Sequence, residues 1–512
     1  MTLSSQNHHA ASEGLIARRI GMDTHDQPVI LTRRDCLVCR SEGFTAHARV
    51  RVEAGGRRII ATLYQIDADW LPQGEAALSE AAWRRLGLAD GDRVFLAHPQ
   101  PLVSLSQVRA RIFGETFRPG DLNNIISDIV AGRYADIHIA MFLTAMATRP
   151  MDRAETRDLI EAMVDAGDRL DWPRPIIADK HCVGGLPGNR TTPLVVAISA
   201  ACGLWMPKTS SRAITSPAGT ADTMETLAPV DLDLASMRRV VEQEGGCVVW
   251  GGSVRLSPVD DMLIRVARVM DLDAEGQLIA SVMSKKIAAG ATHLVLDIPY
   301  GPTAKVRSLN EARSLGDNLS AAATAFGVST RVVISDGSQP VGRGIGPALE
   351  ARDLLAVLDN HPDAPQDLRE RAIALAGEVL ELTGAAPEGQ GKTLAEQTLL
   401  SGAAAAKFRA ICEAQGGLRE PPVAARRFPI LALRAGTVSS IDNRRLGRVA
   451  KLAGAPGAPA AGVDLHVRLG ESVNIGQPLF SIHAETAGEL DYAREFAFSN
   501  GDIITIDQQT KA

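Results

Sequence analysis

The chain contains 512 residues, which predicts roughly three or four compact domains of about 150 residues each. It has 54 Lys and Arg residues against 60 Asp and Glu residues, a net charge of −6, and its 45% apolar and 22% charged content is typical of globular proteins. A long basic run is absent from the sequence, which argues against nucleic-acid binding. The sequence also has no apolar stretch of membrane-spanning length and no signal-peptide pattern, so we expect a cytoplasmic protein that does not bind membranes.

The six cysteines are scattered and lack the spacing of a disulfide framework. Cys36 and Cys39 form a single CxxC pair. A zinc site would need a second CxxC or CxxH pair, and a redox motif would need a surrounding βαβ pattern. The sequence has neither, so we expect no metal site and no functional thiol pair at this position.

The first hundred residues predict a small β-rich domain over 1–100. Apolar and polar residues alternate on both sides of Gly55 and Gly56 between residues 44 and 63, which predicts a β-hairpin. A short helix around 77–86, a turn at Asp90 and Gly91 and a strand over Arg93–Ala97 complete this domain.

Helical periodicity follows and predicts an all-α lobe over 101–170. Three amphipathic helices are expected, with inward faces formed by Leu122, Ile125, Ile126 and Ile129, by Ile137, Met141 and Ala145, and by Leu159, Ile160, Met163 and Val164. A further helical stretch at 257–289 is expected to fold back onto this lobe.

Beyond Trp172, short apolar strands alternate with glycine-rich turns and helices. The clearest strands are 176–178, 294–298 and 332–334. This alternation predicts an α/β lobe over 171–256 and 290–415, with a mostly parallel sheet covered on both faces. The segment 414–427 has the Gly and Pro content of a linker, and the spaced glycines after it predict a compact β-rich, α+β domain over 428–512.

The most informative segment is 176–193, where a strand that ends at Asp179 leads through a glycine loop into a helix. Thr192 and Pro193 are typical of an N-cap and a first helical residue. Such a loop directs backbone N–H groups and a positive helix end at one point, where an anion, most often phosphate, binds. Lys180 adds a positive charge. A glycine-rich turn with no ligand is the commoner occurrence of a lone GGxxG pattern.

A second loop of similar design makes chance a weaker explanation. Residues 208–220 follow another apolar strand, contain several hydroxyl groups and an arginine, and lead into another helix. Two anion-binding loops on neighbouring strands would share the carboxyl edge of the sheet, where α/β proteins bind their ligands.

Two further segments leave two interpretations open. Ser281 and Lys285 are four residues apart on one helical face, beside Ser284, and composition alone favours a solvated face over a site there. The glycine-rich segment 342–347 precedes a helix and suits a tight turn as well as it suits a loop that faces a ligand.

Taken together, these motifs resemble those of the thymidine phosphorylase family. The resemblance rests on DKH at 179–181 with GG at 184–185, on the loop at 210–220 that ends in AGTAD, and on 281–286. The N-terminal domain and the sequence TSSRAIT at 209–215 are similar to those of a second branch of the family, which includes the archaeal AMP phosphorylases. The resemblance covers about residues 100–500 in order, and it implies an all-α lobe and an α/β lobe that close over a cleft.

The resemblance implies phosphorolysis, in which inorganic phosphate attacks C1′ of a nucleoside, the base leaves and a pentose 1-phosphate forms. The implied phosphate ligands are Lys180, Gly185, Thr192, Ser210 and Thr220. The positions implied to hold the base are His181, Arg265, Ser281 and Lys285. The second branch implies nucleotide contacts at Gly185, Ser211, Arg212, Ala213, Ile214, Thr215, Ser216, Thr220, Ser281 and Lys305, and it implies Asp273 as the proton donor to the base, with His181 as the second candidate.

One residue departs from the family pattern. Cys182 stands where the family usually has a serine that helps to bind phosphate, and a thiol is a weaker hydrogen-bond donor than a hydroxyl. Either a backbone N–H carries that contact or the affinity for phosphate is reduced. A small, buried structural residue is at least as good an explanation of Cys182 as a reactive thiol.

The expected enzyme uses phosphate as co-substrate and needs no cofactor or metal. The leading prediction is a pentosyltransferase that acts on thymidine or a related pyrimidine nucleoside, and the close alternative is a nucleoside 5′-monophosphate phosphorylase that yields ribose 1,5-bisphosphate. A phosphate sensor without catalytic activity and a carrier domain are the alternatives from other classes. The family resemblance also implies a homodimer.

Overall fold

The structure is a computed structural model that describes residues 14–213, 216–270, 272 and 274–507. It divides into two compact units. One contains the described residues up to Phe113 together with Ser127–Ile139, and the other contains Gly114–Ile126 and the described residues from Ala140 onward. None of the helices in the described part of the chain is long and apolar enough to cross a membrane.

The N-terminal strands form a closed barrel in the order β1-β5-β2-β4-β3-β6. These strands are β1 (Leu15–Arg19), β2 (Val29–Arg33), β3 (Arg49–Ala54), β4 (Arg57–Ile66), β5 (Glu75–Leu78) and β6 (Arg93–Ala97). The predicted hairpin is confirmed as β3 and β4, and Gly55 and Gly56 turn between them with φ of 55° and 80°. Both turn residues therefore adopt a conformation that glycine favours.

Three helices accompany the barrel, α1 (Leu37–Ser41), α2 (Glu80–Leu86) and α3 (Ser104–Ile112). The prediction of a helix from residue 77 was wrong at its start, because Ala77 and Leu78 pair with β1 and β2 as part of β5. The helix begins after Ser79, whose hydroxyl accepts the Ala82 N–H. Cys36 and Cys39 are buried in the core of the barrel.

The next three helices are α4 (Asp121–Val130), α5 (Asp136–Thr148) and α6 (Arg153–Asp165). The predicted inward faces of α4 and α6 are buried. The predicted face of α5 was wrong at Ile137, which is 75% exposed, whereas Phe142 and Leu143 are buried. The sequence of α5 is apolar on all sides, so periodicity gave little information about its buried face.

The α/β part contains six strands, β7 (Ala178–Cys182), β8 (Met206–Ser210), β9 (Gly246–Trp250), β10 (His293–Tyr300), β11 (Ser329–Asp336) and β12 (Gly344–Ile345). β11, β10 and β7 form one parallel sheet, and β8 and β9 form another. A parallel bridge between Ile177 and Trp205 makes β7 and β8 neighbours. The mostly parallel arrangement is therefore confirmed.

The described residues of this part also form ten helices, six of which lie between the strands from β7 to β11 and four of which follow β12. They are α7 (Thr191–Ala201), α8 (Thr220–Glu225), α9 (Leu234–Glu244), α10 (Pro258–Met270), α11 (Glu275–Ala288), α12 (Leu309–Ala325), α13 (Pro347–Leu358), α14 (Gln366–Leu382), α15 (Gly391–Leu400) and α16 (Ala403–Gln415). α7 is buried along almost its whole length and packs against α14 and α16 in the main hydrophobic core. α10 and α11 pack against α6.

The C-terminal part contains β13 (Arg426–Leu431), β14 (Gly436–Ile441), α17 (Asn443–Leu452), β15 (Gly462–Leu465), β16 (Ser472–Val473), β17 (Pro478–Ala484), α18 (Ala487–Ser499) and β18 (Ile504–Asp507). Its strands form two sheets, β12-β15-β17-β13 and β16-β14-β18. The first of these includes β12, so the segment after β11 in the α/β part is tied to the C-terminal part by antiparallel pairing. The predicted β-rich, α+β class is confirmed.

Candidate active site

The first predicted loop begins later than the sequence indicated. β7 continues to Cys182 because it pairs in parallel with β10 along its whole length. The prediction that the strand ends at Asp179 was therefore wrong. Asp179 and Lys180 lie in the strand and are buried, and His181, beside them, is half-buried.

Asp179 is the centre of a buried ion cluster. Its Oδ1 lies 3.1 Å from Lys208 Nζ on β8, and its Oδ2 lies 2.8 Å from Lys286 Nζ on α11. Although burial opposes ionisation, these two lysines hold the pKa of Asp179 below its usual value. Burial, only partly offset by the charge of Asp179, lowers the pKa of Lys286 to about 7. One carboxylate thus serves two lysines.

Lys180 belongs to a second buried ion cluster on the same strand. Its side chain is fully buried, and its Nζ donates to Thr191 Oγ1 at 2.9 Å and lies 3.5 Å from Asp297 Oδ2 on β10. Arg371 Nη2 donates to Asp297 Oδ1 at 2.8 Å. Burial opposes the ionisation of Asp297, but Lys180 and Arg371 hold its pKa below the usual value. Asp297 and Arg371 were not among the predicted site residues.

Cations outnumber carboxylates in the buried ion pairs around β7, with Lys286, whose pKa burial lowers to about 7, only partly charged at neutral pH. Five cations with side chains no more than 12% exposed, namely Lys180, Arg190, Lys208, Lys286 and Arg371, face three buried carboxylates, namely Asp179, Asp297 and Glu350. Uncompensated buried charge is unfavourable unless a counter-charge accompanies it. The surplus is therefore suited to a bound anion.

The helix after the first loop starts earlier than predicted. α7 begins at Thr191 with Arg190 as its N-cap, so the assignment of Thr192 as N-cap and Pro193 as first helical residue was wrong. Thr192 is a buried residue of the first turn, and Thr191 is the residue that contacts Lys180. The side chain of Arg190 has partners on two other segments, 218–220 and α13.

Two glycines of this loop make close approaches that a side chain would prevent. Gly185 has a φ of +94°, and a Cβ there would lie 2.9 Å from Lys305 Cβ. Gly188 has a φ of +73°, and a Cβ there would lie 2.3 Å from the carbonyl oxygen of Val341. The first of these contacts brings Gly185 beside the exposed Lys305, and both were predicted as nucleotide contacts.

The second loop begins at the end of β8 and contains most of the predicted substrate contacts. Ser210 is buried, and its hydroxyl has no hydrogen-bond partner among the described residues. Thr220, the first residue of α8, is half-buried, and its Oγ1 accepts from Arg190 Nη1 at 2.9 Å. Ser211 is exposed, and Arg212, Ala213 and Ser216 are half-buried. Ile214 and Thr215 lie outside the described residues.

The backbone N–H groups that we expected this loop to offer are partly used by a side chain. Asp222 Oδ2 accepts from the N–H groups of Ala213 at 2.6 Å and Gly219 at 2.8 Å. Because Asp222 is itself in the first turn of α8, it occupies the helix start that an anion would otherwise use. Ligand contacts from this loop are therefore expected mainly from its side chains and less from its backbone N–H groups.

Arg212 is held by carboxylates. Its Nη2 donates to Glu225 Oε1 at 2.9 Å, its Nη1 lies 3.4 Å from Asp222 Oδ1, and its guanidinium lies 4.9 Å from the centre of the Trp250 ring. The hydrogen bond to Glu225 raises the pKa of Arg212. The positive charge of Arg212 is therefore largely balanced, which disfavours the binding of a second phosphate.

The helical segment 281–286 is not the solvated face that composition favoured. Lys286 is buried against Asp179, and Lys285 pairs with the buried Asp260 on α10. Burial lowers the pKa of Lys285, but the charge of Asp260 outweighs this effect and raises it. Ser281 is half-buried on the same face as Lys285, and Arg265 is half-buried on α10.

Of the two predicted proton donors, the structure describes His181 but not Asp273. Burial and the charges of Lys286 and Lys208 hold the pKa of His181 well below its usual value, so its imidazole is neutral at neutral pH. A neutral imidazole donates an N–H hydrogen bond but holds no extra proton. Asp273 lies outside the described residues.

Cys182 is a protonated thiol at the end of β7. Burial, reinforced by the nearby charge of Asp297, raises its pKa to about 12. Asn189 Nδ2 donates to its sulfur at 3.2 Å. This environment disfavours a reactive thiolate.

The third glycine segment, 342–347, directs its N–H groups at carboxylates of this chain. Arg343 and Gly344 both donate to Asp353 Oδ2, at 2.6 and 2.7 Å, and Gly342 donates to Asp367 Oδ2 at 3.0 Å. The tight-turn interpretation therefore describes it better than a ligand-facing loop. Within the described residues, no group of three or more His, Cys, Asp or Glu side chains could hold a metal ion.

Arg190, which connects the first two loops, was not predicted from the sequence. Besides Thr220, its Nη2 donates to the Ala218 carbonyl at 3.1 Å and its Nε to Glu350 Oε2 at 2.5 Å. One signal was available in the sequence. A cation at the start of a helix is unfavourable against the positive end of the helix dipole, so an arginine there needs an anionic partner.

Comparison with known proteins agrees with this architecture. Residues 106–167 match the helical bundle domain of a glycosyl transferase family, residues 174–405 match the a/b domain of that family, and residues 437–500 match a pyrimidine nucleoside phosphorylase C-terminal domain. Anthranilate phosphoribosyltransferase (TrpD) from Thermus thermophilus has a similar fold, with a TM-score of 0.51, 21% identity and coverage of 60% of this chain and 99% of that one. The domain matches define a pentosyltransferase.

Close relatives specify the family further. The chain is 58% identical to "Putative thymidine phosphorylase 2" of Acidovorax sp. (strain JS42), covering 99% of this chain and 100% of the relative. It is 59% identical to "Putative thymidine phosphorylase" of Polaromonas sp. (strain JS666 / ATCC BAA-500), covering 96% of each. The chain belongs to the thymidine phosphorylase family, as its motifs predicted.

Proposed function

We propose that this chain catalyses the phosphorolysis of thymidine or a related pyrimidine nucleoside by inorganic phosphate. A phosphate oxygen attacks C1′, the bond from C1′ to the base nitrogen breaks with its electron pair moving to the base, and the products are the free base and (deoxy)ribose 1-phosphate. The observation that carries the proposal is the surplus of buried positive charge beside the carboxyl ends of β7 and β8. A bound oxyanion supplies the missing counter-charge.

The phosphate site of this proposal combines side chains of both loops. Ser210 supplies a buried hydroxyl that has no partner among the described residues, and Thr220 supplies a second hydroxyl. Lys180 lies one residue from Asp179 and is already paired, so its part is to shape the local potential. Holding phosphate and nucleoside in line can contribute on the order of 7 to 11 kcal/mol to lowering the barrier.

The departing base requires a proton, and we assign Asp273 as its donor. His181 is held neutral by burial and by four surrounding lysines, which favours Asp273 over His181 for this step. A carboxyl that carries a proton near neutral pH needs burial or a neighbouring negative charge, and bound phosphate supplies such a charge. We place His181, Arg265, Ser281 and Lys285 around the base, where the neutral imidazole donates a hydrogen bond.

The second candidate is phosphorolysis of a nucleoside 5′-monophosphate such as AMP, which yields ribose 1,5-bisphosphate. The contact of Lys305 with Gly185 favours it, because an exposed lysine beside the first loop suits a 5′-phosphate. The pairing of Arg212 with Glu225 and Asp222 weighs against it, because a second phosphate clamp would have to break those ion pairs. We therefore keep the nucleoside as the first candidate substrate.

We further infer a homodimer, as the family resemblance implies.

The deciding experiment incubates the purified chain with phosphate and either thymidine or AMP, and measures the free base by chromatography. We expect thymine release that depends on phosphate and is lost in Ser210→Ala. Adenine release from AMP without thymine release from thymidine would reverse our order. If neither base appears in the presence of phosphate, and other pyrimidine nucleosides release no base either, the proposed activity is wrong.

A further inference from the structure

Arg190 connects the first and second glycine loops directly, and Glu350 links it to the third glycine segment. It belongs to the first loop, donates to the Ala218 carbonyl and the Thr220 hydroxyl of the second, and is paired with Glu350. Glu350 Oε1 accepts from the Gly346 N–H of the third glycine segment at 3.3 Å, and its Oε2 accepts from Thr223 Oγ1 at 2.8 Å. Arg190 is 9% exposed and Glu350 is 1% exposed, so the connection is buried.

The contact with Arg190 fixes what the Thr220 hydroxyl does. A hydroxyl has one hydrogen to donate and lone pairs to accept with, whereas a guanidinium can only donate. Because Thr220 Oγ1 accepts from Arg190 Nη1, its own hydrogen is directed to a different acceptor. A hydroxyl held in this state is a prepared donor for an oxyanion.

Glu350 determines how Arg190 acts. The carboxylate balances the guanidinium charge inside the protein and anchors Nε, leaving Nη1 and Nη2 to face the second loop. A neutralised arginine adds little long-range attraction for an anion. Its influence on a ligand must therefore pass through the groups that it orients.

We propose that Arg190 is a positioning residue for phosphate and acts through the Thr220 hydroxyl, which it orients as a donor to the anion. This inference rests on the proposed function. A firmly oriented hydroxyl at Thr220 also offsets the weak thiol donor at Cys182, where the family resemblance implies a serine. Arg190 itself stays with Glu350, Ala218 and Thr220.

The test is a double-mutant cycle on phosphate binding, measured by calorimetry, together with the KM values for phosphate and nucleoside. Arg190→Gln and Thr220→Val are each expected to weaken phosphate binding by roughly 10- to 100-fold, and the double variant by no more than about 3-fold beyond Arg190→Gln. Thr220→Ser keeps the hydroxyl and should stay within about 3-fold of the wild type. The KM for the nucleoside should change far less than the KM for phosphate.

The matched control is Arg331→Gln, which removes a partly buried arginine that pairs with Glu378 and Glu381 elsewhere in the same unit. It should leave phosphate affinity unchanged. If Arg190→Gln fails to fold, Glu350→Asp replaces it in the cycle, because it keeps the negative charge that balances Arg190 but retracts the carboxylate from Arg190 Nε. This Glu350 variant is expected to weaken phosphate binding when Thr220 is present. It should have little further effect in a protein that already carries Thr220→Val.

Additive effects of Arg190→Gln and Thr220→Val, or an unchanged phosphate affinity in Thr220→Val, would overturn the inference. The outcome is separable from that of the proposed function. If the wild type binds phosphate and the variants show the expected coupling, but no base is released, the proposed activity alone is wrong. If base is released and the effects of the two substitutions are additive, the role of Arg190 alone is wrong.

Discussion

Lysine side chains rarely lie in a protein interior, yet Lys180, Lys208 and Lys286 are all at least 95% buried. Each lies within 3.5 Å of a carboxylate oxygen, and two of them share Asp179. The sequence showed all three lysines but not their burial. Lys180 was predicted from its motif, whereas Lys208 and Lys286 have no local pattern that separates them from surface lysines.

Cys182 provides a test at the scale of one residue. Cys182→Ser is expected to tighten phosphate binding by roughly tenfold, because a hydroxyl donates a stronger hydrogen bond to an anion than a protonated thiol does. Calorimetric titration with phosphate measures the change. Cys202→Ser is the control, because Cys202 is the C-cap of α7, at the end away from the first loop. This variant should bind phosphate as the wild type does. Equal affinities in all three proteins would show that a backbone N–H makes this contact.

At the scale of elements, the main differences from prediction are in the boundaries around the first loop. The polar residues Asp179, Lys180 and His181 do not form a typical strand pattern, so the sequence placed the end of β7 too early. Pairing with β10 extends the strand, and the ion pairs with Lys208 and Asp297 make its charged residues compatible with burial. Such tertiary contacts override local propensity.

A pair of glycine substitutions tests the packing of this loop. Gly188→Ala is expected to lower the free energy of unfolding by at least about 1 kcal/mol, because φ is +73° there and a Cβ would lie 2.3 Å from the Val341 carbonyl oxygen. Gly184→Ala is the matched control, since no atom lies within 4 Å of its added Cβ. Urea unfolding of both variants compares them. Equal stability of the two would contradict the close packing of the first loop against 341–344.

At the scale of the whole molecule, the ends of the α/β strands supply the candidate site. β7 and β8 are neighbours and both run parallel to their partners, so their carboxyl ends lie at one edge. This is the edge at which open α/β sheets bind ligands. The two loops predicted from separate segments meet there through Arg190.

The surplus of buried positive charge predicts that phosphate stabilises the folded protein. At a phosphate concentration 100 times the dissociation constant, the expected gain is about 2.7 kcal/mol, because phosphate binds the folded and not the unfolded chain. Thermal unfolding in phosphate, compared with chloride at equal ionic strength, measures it. The gain should be smaller in Ser210→Ala. An unfolding temperature that is the same in both salts would exclude an anion site of this strength.

The sequence by itself determined the β-rich, helical or α/β character of successive segments, the two loops that follow β7 and β8, and the family, because periodicity, glycine spacing and motifs are local properties. Only the tertiary structure decided which charges are buried, which are paired and which residue connects the loops. Arg190 and Glu350 are 160 positions apart, and Asp179 meets Lys208 and Lys286 from two different elements. Burial and ion pairing arise from contacts between distant segments, so no local pattern contains them.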